Sequence, residues 1–146
     1  MVTAERIEKT TLKNLLYNED YTRKVLPFLK PEYFEDRSER IVFSEIQKFI
    51  DQYNKRPTKE TLQIDIGKRK DLNEEEYKRI VELISTLNKE EIDLDWLVNT
   101  TEKFCKDRAV HNAVMDGIHI LDGKDKKHTP EAIPEILRDA LSVSFD

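Results

Sequence analysis

Apolar residues recur at intervals of three and four along almost the whole chain, and this spacing places side chains on one face of an α-helix. The pattern predicts a first helix over about residues 4–17, with a buried face that contains Ile7, Leu12, Leu15 and Leu16. A short second helix should follow, capped by Asp20 and broken near Pro27, because proline cannot continue a helix interior.

The middle of the chain predicts three more helices. After a turn over residues 30–34, a helix over about residues 36–53 should bury one stripe of side chains: Phe43, Ile46, Ile50 and Tyr53. Thr58 is a natural cap for the next helix, which runs through Leu62 and Ile66. Asn73 and Glu76 form a capping box, and the helix that they open carries a clean apolar stripe: Tyr77, Ile80, Val81, Ile84 and Leu87.

The last third of the chain changes character after the charged connector at residues 88–93. A single helical pattern runs from about Leu94 to Leu121, a length of about 40 Å at 1.5 Å per residue. A polar turn over residues 122–128 precedes another stripe, which includes Ile133 and Ala140. Pro134 leaves two alternatives open: the last helix begins near this proline, or its first turn is kinked.

These elements predict an all-α protein with two parts. Residues 1–93 should form a small globular helical bundle, and residues 94–146 a long C-terminal helical hairpin. A two-helix hairpin leaves apolar surface that its own partner helix cannot cover, so this surface should pack on the globule or on another subunit. We expect the subunit or partner interface to include the following side chains: Val110, Ala113, Val114, Ile118, Ile136, Leu137 and Leu141.

Composition and charge narrow the function classes. With 3 glycines and 5 prolines among 146 residues, the chain has few of the tight turns that a β-sandwich or barrel needs. The net charge of −5 differs from the basic surface expected of a free-standing duplex-binding protein, and it also argues against a membrane-surface role. The single cysteine cannot form an internal disulfide, which fits a reducing cytosol.

Candidate catalytic motifs are weak, so we predict no catalytic, cofactor-binding or metal-binding residues in this chain. The segment from Gly117 to Lys124 has five residues between its glycines instead of four, and Asp125 stands where a phosphate loop needs Ser or Thr. Asp116, His119 and Asp122 recur every three residues, and we interpret them as an exposed polar face rather than as metal ligands.

Two further features allow a second interpretation. The basic segment at residues 68–70 lies near Tyr77, and basic residues interleaved with aromatic rings are typical of proteins that bind single-stranded nucleic acid. Trp96 should pin the hairpin to the globule, with a partner contact as the alternative. A helicase-loading or primase-associated accessory protein that binds single-stranded DNA is therefore the alternative function.

The chain resembles the N-terminal domain of DnaB-like hexameric replicative helicases, most closely those of T-even-like bacteriophages. The resemblance spans nearly the whole chain and rests on five segments, of which the last is the most specific: residues 31–35, residues 96–98, residues 101–103, residues 108–113 and residues 132–146.

The resemblance implies a role in DNA replication without an enzyme active site in this chain. In this family the N-terminal domain supports a hexameric ring, often as a trimer of dimers built through the hairpins, and it takes part in recruiting primase. The resemblance also implies a helicase loader as a partner. Single-stranded DNA would be contacted only indirectly, through the ring, and no membrane partner is implied. ATP and magnesium are expected only in a following RecA-like motor domain, so we expect a fragment that ends near an interdomain linker. The resemblance places the protein in the cytoplasm of a bacterial host.

Overall fold

Seven α-helices build the part of the chain that the structure, a computed structural model, describes, which is residues 6–146. These residues contain no β-strand, so the all-α prediction is confirmed. The helices are α1 (Ile7–Tyr17), α2 (Glu19–Val25), α3 (Arg37–Tyr53), α4 (Lys59–Gly67), α5 (Glu74–Ser85), α6 (Leu94–Leu121) and α7 (Ile133–Leu141). Short 3-10 turns cover Leu26–Phe28, Pro31–Tyr33 and Pro130–Ala132.

Side-chain caps explain where most of the helices begin. An Asn, Asp or Thr immediately before the helix accepts a hydrogen bond from a first-turn amide, which satisfies a backbone donor that the helix itself leaves open. The capping box predicted before α5 is confirmed: Glu76 N donates to Asn73 Oδ1 over 2.8 Å and Asn73 N donates to Glu76 Oε1 over 3.0 Å. The capping residues observed in this way are Asn18, Asp36, Thr58, Asn73 and Asp93.

Two local predictions in the first half of the chain need correction. Asn18 caps α2 by accepting from Tyr21 N over 3.0 Å, so the predicted cap Asp20 lies inside the first turn of that helix. Tyr53 is exposed at the end of α3, where its ring contacts Phe49 at a centroid distance of 4.7 Å, instead of completing the buried stripe. The predicted start of α1 at residue 4 falls outside the described residues.

The globular part is held by one apolar core to which α1–α5 and the first half of α6 all contribute. Its fully buried side chains include Leu12, Leu15, Tyr21, Phe34, Phe43, Ile46, Leu62, Ile66, Ile80, Ile84, Leu87 and Leu97. The Phe34 ring stacks on Phe43 at 5.0 Å and meets Phe104 of α6 edge-on at 5.8 Å. These aromatic contacts join the first half of α6 to the globule.

Ion pairs at the edge of this core fix the connections between helices. Arg69, just after α4, donates to Glu45 of α3 over 2.9 Å and to Asp71 over 2.8 Å. Lys13 of α1, a largely buried side chain, donates to Glu90 over 2.7 Å and so ties α1 to the connector before α6. Buried charges of this kind need partners, because removal from water is costly without them.

The helix α6 has the predicted bounds and divides into two halves with different surroundings. Its first half buries Leu97, Thr101 and Cys105 against the globule, and the Thr101 hydroxyl lies 2.7 Å from the hydroxyl of Tyr21. Its second half packs against α7, and Asn112 in this half still reaches the 3-10 turn Pro31–Tyr33 of the globule. The helix therefore connects the globule to the hairpin as one continuous rod.

The helix α6 ends at the hairpin turn, where one residue adopts a left-handed backbone conformation. Gly123 has φ +73°, its N–H donates to Ile120 O over 3.1 Å, and Lys124 N donates to His119 O over 2.9 Å. This pair of bonds is a Schellman motif, in which glycine is favoured because it carries no Cβ. The helix α7 begins at Ile133 with Pro134 in its first turn, which agrees with the first of the two alternatives left open for this proline.

Candidate subunit interface

The hairpin is closed by a seam of buried residues between α6 and α7. On α6 the seam contains Ala113, Gly117 and Ile120, all buried, at the helical spacing of four and three. A Cβ placed on Gly117 would lie 3.6 Å from Ile133 Cγ2, an ordinary van der Waals distance, so Ile133 of α7 packs over Gly117. On α7 the buried residue of the seam is Ala140.

A stripe of larger apolar side chains lies beside this seam and faces outward. Four residues of the stripe follow a seam residue by one position, about 100° around the helix, and the other two, Val110 and Leu137, lie one turn before Val114 and Leu141 on the same side. On α6 these residues are Val110, Val114, Ile118 and Leu121, and on α7 they are Leu137 and Leu141. Because α6 and α7 run antiparallel, the two offsets turn toward the same side of the hairpin. We call these six residues the hairpin face.

The hairpin face is exposed at most of its positions. Leu121 and Leu141 keep 69% and 73% of their surface accessible, Val114 and Ile118 are also exposed, and Val110 and Leu137 are half-buried. Exposed leucines are common singly, but an aligned group on one side of two packed helices is a contiguous apolar patch. Such a patch is typical of a surface that another protein covers.

The seven predicted interface residues fall into two groups. Val110, Val114, Ile118, Leu137 and Leu141 belong to the hairpin face. Ala113 lies in the seam, and Ile136 is half-buried beside Ala113 and Ala140, so these two side chains are directed into the hairpin of their own chain. The predicted set does not include Leu121, which is exposed and follows Ile118 and Val114 at helical spacing.

The opposite side of α6 is polar and turns toward the globule. Asn112 Nδ2 donates to Glu32 O in the 3-10 turn over 3.0 Å, and Asp116 lies beside it in the same cleft. This contrast between the two flanks of one helix gives the hairpin a definite orientation, with its apolar flank directed away from the globule.

Charged side chains border the hairpin face at both ends. Toward the globule, Lys103 and Asp107 form an ion pair at 2.9 Å on the outward side of α6. At the tip, Asp125 accepts from the backbone of Lys127 over 2.7 Å and lies 3.0 Å from His128 Nδ1, and the hydrogen bond with His128 lowers the pKa of the Asp125 carboxyl. Charged borders of this kind restrict which partner orientations are tolerated.

Trp96 does not pin the hairpin to the globule, because 55% of its surface is accessible. The neighbouring Leu97 is fully buried and makes that contact instead. The Trp96 backbone N–H is held by the cap Asp93 over 2.9 Å, which fixes the start of α6 while leaving the indole outside.

The other candidate sites are the basic segment at residues 68–70 and the acidic and histidine side chains considered as metal ligands. The basic segment near Tyr77 forms ion pairs within its own subdomain: Arg69 binds Glu45 and Asp71, and Lys68 lies 3.9 Å from Asp65. The Tyr77 ring packs beside Gly67, where an added Cβ would lie 3.5 Å from the ring. Among residues 6–146, no group of three or more His, Cys, Asp or Glu side chains is arranged to hold a metal ion.

Cys105 lies fully buried in the first half of α6. Burial in the apolar core, with a smaller contribution from the charge of Glu102, raises the pKa of this thiol to about 12. A thiol that stays protonated at neutral pH is a poor nucleophile, so this residue packs as a small apolar side chain. None of the helices in the described part of the chain is both long and apolar enough to cross a bilayer.

The fold and this surface define an all-helical domain with a projecting hairpin that offers an apolar face. A family model for the DnaB-like helicase N terminal domain matches residues 2–93, more than half of the chain. The chain belongs to the family of DnaB-like helicase N-terminal domains, as the sequence resemblance indicated.

A phage relative supports this assignment. The chain is 34% identical over 143 residues to the DnaB-like replicative helicase of Enterobacteria phage T4, an alignment that covers 92% of this chain. The chain spans about 30% of the length of that relative. An alignment over 92% of the chain includes more residues than the family model matches, so the similarity continues past residue 93 into α6.

Proposed function

We propose that this chain is the N-terminal assembly domain of a phage replicative DNA helicase, and that it self-associates through the hairpin face. The observation that carries the proposal is the apolar hairpin face on one side of α6 and α7, in which four residues are exposed and two are half-buried. A second copy of the chain is the occupant that fits, because a two-fold pairing brings the same patch from both partners together.

The proposal assigns different tasks to the two parts of the chain. Residues 1–93 form the globular subdomain and residues 94–146 the hairpin subdomain, with the buried first half of α6 anchoring the second to the first. Pairs formed through the hairpin faces would then be the units of a hexameric ring, a trimer of dimers. The charged borders at Lys103, Asp107 and the tip lysines set the register between partners.

The wider context of the proposal comes from the relative, which is named a replicative helicase. In this proposal primase binds the N-terminal ring, a helicase loader is a further partner, and a separate RecA-like motor domain binds ATP and magnesium. Single-stranded DNA is contacted through the ring as a whole, and the protein works in the cytoplasm of a bacterial host. Primase from the same genome should bind the wild-type chain with measurable heat in calorimetry.

Sedimentation velocity on matched variants tests the self-association. Ile118→Lys places a charge in the hairpin face, whereas Ile64→Lys places the same charge on α4; Ile118 is 44% and Ile64 60% exposed, and both lie in the last turns of their helices. A cation near a helix C-terminus is tolerated, so both variants should fold.

We expect the wild type and Ile64→Lys to associate with rising concentration and Ile118→Lys to remain monomeric, because a desolvated, unpaired lysine is costly in an apolar interface. Equal association of all three proteins would contradict the proposed interface. Salt-dependent binding of labelled oligonucleotides by the wild type would instead favour the accessory-protein alternative.

A further inference from the structure

The residues that follow α7 do not leave the hairpin but return to the globule. Val143 and Phe145 pack against the core of the globular part, and the Phe145 ring stacks on Phe28 at a centroid distance of 4.8 Å and an interplanar angle of 19°. We call residues 142–146 the strap.

The strap is hydrogen-bonded to the carboxylate of Glu102 in α6. Glu102 Oε2 accepts a hydrogen bond from Phe145 N over 2.8 Å, and the Ser144 hydroxyl lies 3.4 Å from the same oxygen. A charged acceptor strengthens a bond to a backbone amide relative to a neutral one. Glu102 lies in the half of α6 that packs on the globule, next to Thr101, which is fully buried and donates to Leu97 O over 2.8 Å.

The helix α7 needs such an attachment. It has 9 residues, and helices this short are marginal without tertiary support. Its N-terminus follows Ala132, a residue that offers no side-chain acceptor to the first amides. Its packing partner along the seam is α6, and only Ala140 among its own residues is buried.

We infer that Glu102 and Phe145 are positioning residues for the hairpin face: the strap that they hold fixes α7 on α6 and so keeps Leu137 and Leu141 aligned with the stripe of α6. Release of the strap would free α7 and divide the face, leaving the α6 stripe alone. The inference rests on the proposed function where it concerns self-association, but the link between strap and α7 is a property of the single chain.

Hydrogen exchange of the dilute 146-residue chain tests that link. Phe145→Ala removes the ring contact and Glu102→Ala removes the acceptor, so each should speed exchange of the α7 amides by about tenfold, while α3 and α5 exchange at the wild-type rate. Glu102→Gln keeps an acceptor oxygen and should restore most of the protection.

Phe49→Ala is the matched control, because it removes a ring contact of nearly the same distance, 4.7 Å to Tyr53, at a site remote in sequence from the strap. It should leave α7 exchange unchanged. Wild-type exchange of α7 in both Phe145→Ala and Glu102→Ala would overturn the inference, as would equal acceleration in Phe49→Ala.

Sedimentation velocity on the same variants tests the consequence for docking. Phe145→Ala and Glu102→Ala should weaken self-association at least several-fold, and Glu102→Gln should recover it. If α7 is released but association is unchanged, the positioning role is wrong. If the wild type itself stays monomeric, the proposed function fails together with the docking part of the inference, and exchange alone then decides whether the strap holds α7.

Discussion

The globule and the hairpin are built from the same kind of amphipathic helix, yet they treat their apolar residues differently. In the globule, Ile80 and Ile84 of α5 are buried under neighbouring helices. In the hairpin, the comparable stripe through Val114, Ile118 and Leu121 remains exposed, because α7 covers only the seam next to it. Hydrophobic periodicity therefore shows which side of a helix is apolar, but the number of neighbouring helices decides whether that side is covered within the chain.

The largest expected difference between the two regions concerns thiol reactivity. Cys105 has a pKa raised to about 12, whereas a cysteine introduced at the exposed His119 should keep an ordinary pKa. At pH 8 the native thiol should react with a thiol reagent about a thousandfold more slowly than the thiol of His119→Cys, because the thiolate is the reactive form. Stopped-flow absorbance measures both rates, and similar rates would mean that the first half of α6 opens readily.

A matched pair of isoleucine substitutions compares the regions directly. Ile84→Ala should lower the free energy of unfolding by about 2–5 kcal/mol, because it leaves a cavity in a fully buried position. Ile118→Ala should change it by less than about 1 kcal/mol in the dilute chain, since that side chain is exposed. Urea denaturation at low micromolar concentration provides both values, and equal losses would refute the contrast between the two regions.

Loss of the capping box of α5, in the globule, should have a smaller effect on the free energy of unfolding. Asn73→Ala removes the side-chain acceptor for Glu76 N and should cost about 1 kcal/mol of unfolding free energy. Asn99→Ala, an exposed substitution within α6, serves as the control and should have almost no effect. Thermal denaturation followed by circular dichroism distinguishes the two outcomes, and an unchanged midpoint for Asn73→Ala would contradict the role of the capping box.

The smallest effect has the opposite sign and lies in the hairpin seam. Gly117 has room for a methyl group, since an added Cβ would lie 3.6 Å from Ile133 Cγ2, an ordinary contact. Gly117→Ala should therefore raise the unfolding free energy by about 0.5–1 kcal/mol through better helix propensity. A loss of stability in urea denaturation would show that the seam is tighter than these distances imply.

Periodicity and capping residues predicted the helical elements well. The apolar spacing between Leu94 and Leu121 gave the bounds of α6, and the Asn73–Glu76 pair located the start of α5, because both signals depend on residues close in sequence. Asp20 is the predicted cap of α2 and Asn18 the observed one, because both residue types cap helices well and only the backbone path distinguishes two positions this close.

The candidate interface was harder to predict, because it depends on contacts between distant residues. The sequence marks Ala113 and Val114 equally as apolar, and only the position of α7 places the first in the seam and the second on the hairpin face. The exposure of Trp96 and the return of the strap to Phe28 are likewise tertiary features. No periodic signal links Phe145 to a ring more than a hundred residues earlier.

The mass of the unmodified chain in solution tests most directly whether the hairpin face joins two copies. Light scattering from low to high micromolar concentration should show a mass that rises from the 17.3 kDa of a single chain toward at least twice that value. A mass that stays at the single-chain value up to the highest concentration would contradict the proposed role of the hairpin face.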